Sequence, residues 1–121
     1  MKEEQRKTPL FDAVCHYADS GIVPMHVPAH KLGRGISPKW TRRVGEEIFK
    51  MDLTEVEGLD DLHQPQSVIA EAQRLAREAW GSDACFFLVN GTSCGIMSAI
   101  CASVKPGEKI LVPRNAHKSV T

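Results

Sequence analysis

The sequence is most constrained at residues 89–95, where a turn of small and hydroxyl-bearing residues joins two apolar segments. Before the turn, residues 84–89 are apolar throughout and are typical of a buried β-strand. After it, Ile96, Ile100 and Val104 recur at the spacing of one helix face. The turn therefore lies between a predicted strand and a predicted helix.

A second apolar segment follows this helix after a Pro-Gly turn. Residues 109–112, KILV, predict another strand, which completes the order of a βαβ unit. The sequence thus predicts an α/β fold with a mainly parallel sheet and flanking helices. One βαβ unit cannot cover both faces of such a sheet. Either partner chains complete the fold or this chain is the front portion of a longer protein, and we expect the second.

Residues 1–50 are predicted to be a helical and loop segment that precedes the sheet domain at 51–121. Thr-Pro and Ser-Pro pairs favour helices over residues 9–20 and 38–49, because Ser and Thr cap helices and Pro suits the first turn. The intervening residues 23–35 contain two prolines and are expected to be extended or looped.

The beginning of the predicted sheet domain combines a possible short strand, an acidic loop and the clearest helix of the chain. That helix is expected over residues 66–80, with one apolar stripe and Gly81 at its end. The acidic loop is either solvated or close to an active site, and the sequence leaves both open. Its carboxylates are Asp52, Glu55, Glu57, Asp60 and Asp61.

Charge and hydropathy narrow the range of partners. Lys plus Arg number 15 and Asp plus Glu number 15 in 121 residues, so the formal net charge is zero. This balance argues against nucleic acid or an anionic membrane as a partner. No apolar run approaches the roughly 20 residues that span a bilayer, and a cytoplasmic location is expected.

The cysteines predict neither a metal site nor a disulfide framework. The chain has four, without a Cys-x-x-Cys pair. Cys85 and Cys101 lie in apolar surroundings and are expected to be small buried residues. No metal ligand set is predicted.

The turn itself fits only one of the common phosphate-binding patterns. Gly91 and Gly95 have the spacing of neither a Walker A loop nor a dinucleotide fingerprint. A Gly-Thr-Ser step at a helix N-terminus can bind a single phosphate through backbone N–H groups and the hydroxyls of Thr92 and Ser93. An ordinary capped helix would have the same residues, so both interpretations stay open at this stage.

His117 follows the second predicted strand. In a parallel sheet it would border the same crevice as the 90–95 turn, because ligands bind outside the carboxyl ends of the strands. Its imidazole could lie on an aromatic cofactor ring, hydrogen-bond a substrate or cap the next helix.

Three ordered motifs resemble the Orn/Lys/Arg decarboxylase family of pyridoxal-phosphate (PLP) enzymes, which have the aspartate-aminotransferase fold. The resemblance covers residues 8–121. Residues 28–33, PAHKLG, resemble a further motif of the family, in which Gly is usual at the position of Ala29. The three motifs are LTEVEGLDDLH at residues 53–63, FFLVNGTS at 86–93 and ILVPRNAHKS at 110–119.

The resemblance implies a cofactor and a role for each matching residue. Gly91, Thr92 and Ser93 match the loop that holds the PLP phosphate, and His117 matches the residue that stacks on the pyridine ring. Lys118 is not expected to form the Schiff base, because the family's lysine lies further along the chain after a Ser-x-His-Lys motif. The acid that pairs with the ring nitrogen is also expected beyond these residues.

The activity implied by the resemblance is decarboxylation of arginine, lysine or ornithine to agmatine or a diamine, as in polyamine metabolism. A homodimer or higher homo-oligomer is implied too, and these residues alone are expected to be inactive. The alternatives are another enzyme of the same fold, such as an aminotransferase or aldolase-type lyase, and a truncated, non-catalytic phosphate-binding module.

Overall fold

The computed structural model describes residues 3–120, which form one 3-10 helix, five α-helices and connecting turns and loops. One compact unit ends at Cys85 and a second begins at Phe86. The 3-10 helix is Glu3–Arg6, and the α-helices are α1 (Pro9–Asp19), α2 (Pro38–Val44), α3 (Glu47–Lys50), α4 (Val68–Trp80) and α5 (Gly91–Ser103).

The first unit is built on the contact between α1 and α4. Five apolar residues are buried in it: Tyr17 of α1, Ile69 and Leu75 of α4, Leu59 of the preceding loop, and Pro24. Both helices occur where Pro at the first turn and the apolar stripe predict them. The helical periodicity therefore correctly identified the faces that form this small core.

The 3-10 helix is attached to α4 by side-chain contacts. The Gln5 side chain donates to the Leu75 carbonyl at 3.2 Å, and the Arg74 guanidinium pairs with Glu4 at 2.9 Å. Arg74 also pairs with Glu71, one turn earlier on α4, at 2.7 Å. These ion pairs are partly exposed, so we expect each to add little stability.

The helix predicted over residues 38–49 is interrupted. Ser37 caps α2 as expected, since its side chain accepts the Lys39 N–H. Gly45 then adopts a φ of 87°, which ends α2, and α3 starts only at Glu47. A left-handed glycine breaks the backbone hydrogen-bond ladder of a helix, which explains the division.

The second unit consists of α5 and the segments on either side of it. Gly95 lies against Leu88, because a Cβ atom added at Gly95 would be 2.4 Å from the Leu88 Cδ1 atom. None of the described residues from 86 onward is buried, and Phe86 and Leu111 are 78% and 103% exposed.

The predicted parallel sheet is not confirmed. Residues 84–89 and 109–112 form no β-strand, and neither does any other described residue between 3 and 120. A strand requires a neighbour along its length, and a parallel sheet also requires covering layers on both faces. Apolar patterning identified segments able to enter a sheet, but these two segments have no backbone partners among the described residues.

The expected burial of two cysteines is not observed. Cys101 is exposed and Cys85 only half-buried, so the prediction that both are buried is wrong. The exposure of both cysteines follows from the missing sheet, because only the packed layers of a sheet domain would bury them. The division of the chain at residue 50 stays a prediction. None of the described helices is long and apolar enough to cross a membrane.

The aromatic residues are unevenly distributed. Both tryptophans of the chain, Trp40 and Trp80, lie in the first unit, and they are 63% and 84% exposed. The only tyrosine, Tyr17, is buried in the same unit.

Candidate functional site

The predicted phosphate turn lies at the N-terminus of α5. Gly91, the first residue of the helix, has a φ of 72°, a value that residues with a Cβ atom rarely adopt. Asn90 occupies the N-cap position, but its side chain makes no capping hydrogen bond. The first turn of α5 therefore lacks the side-chain cap found in many helices.

The donors of this turn are free within the described part of the chain. The backbone N–H groups of Gly91, Thr92 and Ser93 contact no acceptor, and neither hydroxyl makes a hydrogen bond within residues 3–120. Thr92 and Ser93 are both exposed. Free N–H groups, two hydroxyls and the positive end of the helix dipole are a chemical match for one phosphate group.

His117 begins a tight turn in the last described residues. The Val120 N–H donates to the His117 carbonyl at 2.9 Å, which closes the turn. Inside it, Nδ1 of His117 lies 2.9 Å from the Ser119 hydroxyl oxygen and 3.2 Å from the Ser119 backbone nitrogen. The His117 ring itself is exposed, as is Lys118.

No hydrogen bond among the described residues joins His117 to Gly91, Thr92 or Ser93. Their expected proximity depended on parallel strands, which place successive strand ends at one edge of a sheet. Because that sheet is not formed here, a shared crevice for these residues stays a prediction.

In the loop around Ala29, where the family motif has Gly, the unusual backbone conformation lies at residues 31–33 and not at Ala29. Ala29 has no positive φ, whereas Lys31, Leu32 and Gly33 have φ values of 51°, 55° and 93°. An alanine at position 29 is therefore compatible with the loop. Three successive left-handed residues are uncommon, and the two non-glycine residues are strained there.

His30 fixes this left-handed turn. The Gly33 N–H donates to Nδ1 of His30 at 3.0 Å, and Nε2 donates to the Asp52 carboxylate at 3.0 Å. Since Nδ1 accepts, the hydrogen of the neutral ring is on Nε2. The ring also meets Phe49 edge-on, with 5.9 Å between ring centroids.

In His26 the roles of the two ring nitrogens are the reverse of those in His30. Its Nδ1 lies 2.5 Å from the Val27 carbonyl oxygen, which can only accept, so Nδ1 carries the hydrogen. In the neutral ring, Nε2 then accepts from the buried Tyr17 hydroxyl at 2.8 Å. The Lys31 ammonium group donates to the His26 carbonyl at 2.7 Å, which attaches the left-handed turn to this cluster.

Asp60 has a role that sequence reasoning missed. Its carboxylate accepts the backbone N–H groups of Ser67, Ile69 and Ala70 at the start of α4, and also those of Asp61 and Gln66. The Ser67 side chain, in the usual capping position, makes no cap. Asp60 thus caps α4 from a preceding loop and is neither simply solvated nor shown to be close to an active site.

The hydrogen bonds to Asp60 also change its acidity. Desolvation raises the pKa of this carboxyl, but the N–H groups of Gln66, Ser67, Asp61 and Ala70 outweigh it and hold the pKa well below its usual range. A signal was present in the sequence, because Asp60 lies within the DDLH motif shortly before a helix. No local rule assigns a cap to a residue so far from the helix start.

Among residues 3–120, no group of three or more His, Cys, Asp or Glu side chains could hold a metal ion.

Comparison with known proteins identifies the family. The model for the major domain of Orn/Lys/Arg decarboxylases matches residues 8–121, which is nearly the whole chain. The chain belongs to the Orn/Lys/Arg decarboxylase family. The match includes the α5 turn, the His117 turn and the Asp60 cap, so all three are features of a decarboxylase family member.

Individual relatives agree with this assignment. The chain is 48% identical to an arginine decarboxylase of Halalkalibacterium halodurans and 45% identical to one of Bacillus subtilis, over 96% of its length. It is 30% identical to an ornithine decarboxylase of Haemophilus influenzae over 98% of its length. No solved structure matches the chain.

The chain is much shorter than these family members. It spans 24% of the length of the two arginine decarboxylases and 17% of the ornithine decarboxylase. The described residues therefore correspond to about a quarter of an arginine decarboxylase chain or less.

Proposed function

We propose that this chain is the N-terminal portion of a PLP-dependent basic amino-acid decarboxylase. The observation that carries the proposal is the family match over residues 8–121, together with 48% identity to an arginine decarboxylase. Identity to the ornithine decarboxylase is lower, at 30%, which favours arginine as the substrate. The expected products are agmatine and CO2.

The N-terminus of α5 is the proposed binding site for the PLP phosphate. Its free N–H groups at Gly91, Thr92 and Ser93 and its two free hydroxyls are donors, and a phosphate dianion supplies only acceptors at neutral pH. A side chain at position 91 would oppose the φ of 72°. The residues present therefore fit the phosphate group.

His117 is the proposed stacking residue for the pyridine ring. Its exposed imidazole is planar and is fixed on one edge by Ser119, which leaves the ring faces accessible to a ligand. Stacking would require the His117 turn and the α5 turn to border one crevice. We therefore propose that residues 84–89 and 109–112 form neighbouring strands in the complete large domain.

PLP, when bound, supplies an electron sink for the electron pair left behind when the α-carboxylate departs as CO2. Among the residues of this chain, Thr92 and Ser93 would anchor the phosphate, and His117 would hold the ring. The Schiff-base lysine and the acid for the ring nitrogen are proposed to lie further along a longer chain. The 121 residues alone are accordingly proposed to be inactive.

Two measurements test this proposal. The genomic reading frame after Thr121 should continue into a Ser-x-His-Lys motif, and a stop codon there would instead favour a non-catalytic phosphate-binding module. Treatment of the 121-residue chain with PLP and borohydride should label no single lysine and release no CO2 from arginine. Stoichiometric labelling of Lys118 would contradict the lysine assignment.

A further inference from the structure

We infer that Ser119 is a positioning residue that holds the neutral His117 ring with its hydrogen on Nε2. Two Ser119 atoms converge on Nδ1 of His117: the hydroxyl oxygen at 2.9 Å and the backbone nitrogen at 3.2 Å. Both contacts lie inside the turn that the Val120 N–H closes on the His117 carbonyl.

The backbone nitrogen decides the tautomer. A hydroxyl can donate or accept, so the Ser119 side chain alone would fit either form of the ring. The Ser119 backbone N–H can only donate, and a hydrogen on Nδ1 would point toward it. Nδ1 must therefore be the acceptor, and the hydrogen of the neutral ring must be on Nε2.

The other two histidines with two polar partners provide comparisons within the same chain. His30 also accepts a backbone N–H at Nδ1 and carries its hydrogen on Nε2. His26 faces the Val27 carbonyl and carries its hydrogen on Nδ1. The structure thus assigns both tautomers within one molecule, and the backbone group facing Nδ1 distinguishes them.

The consequence for ligand binding rests on the proposed function. Within residues 3–120 the Nε2 atom of His117 has no hydrogen-bond partner, so it is the one ring nitrogen available to a ligand. In the Nε2–H tautomer it is a donor, and its partner must be an acceptor atom. A carboxylate oxygen, as in an amino-acid substrate, has the matching chemistry, whereas an ammonium group does not.

The tautomers can be measured directly by long-range ¹H–¹⁵N NMR of the 121-residue chain, at about pH 8.5, where an ordinary histidine is neutral. We expect His117 and His30 to show the Nε2–H pattern and His26 the Nδ1–H pattern. A free imidazole exchanges between both forms, so a rapidly averaged His117 signal, or one with the hydrogen on Nδ1, would overturn the inference.

Two variants separate positioning from general folding. Ser119→Ala removes the hydroxyl contact but keeps the backbone N–H that donates to Nδ1. It should therefore shift both ring nitrogens of His117 part of the way toward the averaged values, with the Nε2–H form still favoured, and leave those of His26 and His30 unchanged. Ser119→Thr keeps the hydroxyl and the N–H, and it should restore the wild-type pattern. Unchanged His117 signals in Ser119→Ala would refute a role for the hydroxyl.

Neither NMR result depends on PLP, so the inference and the proposed function can fail separately. In the complete enzyme, Ser119→Ala should raise the KM for arginine more than it lowers kcat, with recovery in Ser119→Thr. An Nε2–H tautomer without any PLP binding by the complete enzyme would leave the Ser119 assignment standing and refute the proposed function.

Discussion

The Oδ2 atom of Asp60 lies 2.7 Å from the backbone nitrogen of Ser67, seven residues further along the chain. Through this and neighbouring bonds, a loop residue with a φ of 74° caps the longest amphipathic helix of the first unit. The acidic DDLH motif is thereby tied to the N-terminus of α4, and α4 packs on α1.

Replacement of the Asp60 carboxylate should destabilise the first unit. Asp60→Ala removes every cap acceptor and strains the left-handed backbone, so we expect the melting temperature to fall by about 4–8 °C or more. Asn tolerates the positive φ and keeps one acceptor oxygen, so Asp60→Asn should lower the melting temperature less than Asp60→Ala does. Far-UV circular dichroism would measure the melting temperatures of both variants. Asp83→Asn, at an exposed position, is the matched control.

Asp60 should also make the first unit sensitive to acid. Because its pKa is lower in the folded state than in the unfolded state, its stabilisation is complete above about pH 4 and is lost as the pH falls further. Asp60→Asn should therefore be destabilised relative to the wild type at pH 7, and this difference should shrink toward pH 2. A constant difference across this range would show that the carboxylate charge is not responsible.

The buried Tyr17 hydroxyl should contribute measurably to stability through His26. Tyr17→Phe removes the 2.8 Å hydrogen bond while keeping the ring, so the free energy of unfolding should fall by about 0.5–1.5 kcal/mol. Denaturant unfolding would measure it. In a His26→Ala variant, Tyr17→Phe should lower the free energy of unfolding much less, because the hydrogen bond is already absent. An equal decrease with and without His26 would contradict a stabilising bond between the two residues.

The left-handed turn at residues 31–33 should loosen when His30 is removed. His30→Ala leaves the Gly33 N–H without its 3.0 Å acceptor, so its amide exchange should accelerate by about fivefold, the equivalent of one hydrogen bond. Hydrogen exchange followed by NMR would measure this. The Glu71 amide, which donates to the carbonyl of the N-cap residue Ser67 at the start of α4, is the internal control and should exchange at its original rate.

If the N-terminus of α5 binds the PLP phosphate, Thr92 should matter more than other hydroxyls of the same helix. Thr92→Val keeps the shape and removes the donor, so the dissociation constant for PLP should rise by about tenfold in the complete enzyme. Ser98→Ala removes an exposed hydroxyl from the middle of α5 and should leave the dissociation constant for PLP unchanged. Similar affinities for the two variants, measured by PLP absorbance, would contradict the proposed phosphate site.

Local chemistry explains which parts of this fold were predictable. Pro9 and Pro38 mark the starts of α1 and α2, and Gly81 ends α4 in a left-handed conformation. Each signal acts within one turn of the residue that carries it, so a single sequence is enough to recognise it.

Features that depend on distant partners were not predictable in this way. The capping of α4 by Asp60 requires a loop conformation that no nearest-neighbour rule specifies. The tautomers of His26 and His117 depend on which backbone group faces Nδ1. The two apolar segments around α5 have strand-like composition, but pairing is a property of their neighbours. The site residues Gly91, Thr92, Ser93 and His117 were chosen by motif, and their joint action stays a prediction.

The confinement of every tryptophan and tyrosine to the first unit has a practical consequence for experiments. Intrinsic fluorescence and absorbance at about 280 nm come from these side chains, so they report on residues up to Cys85 and are silent for α5 and His117. A thermal melt followed by fluorescence therefore reports the unfolding of the first unit only. It does not show at which temperature the candidate site unfolds. A tryptophan introduced at the exposed Phe86 would make that region optically visible.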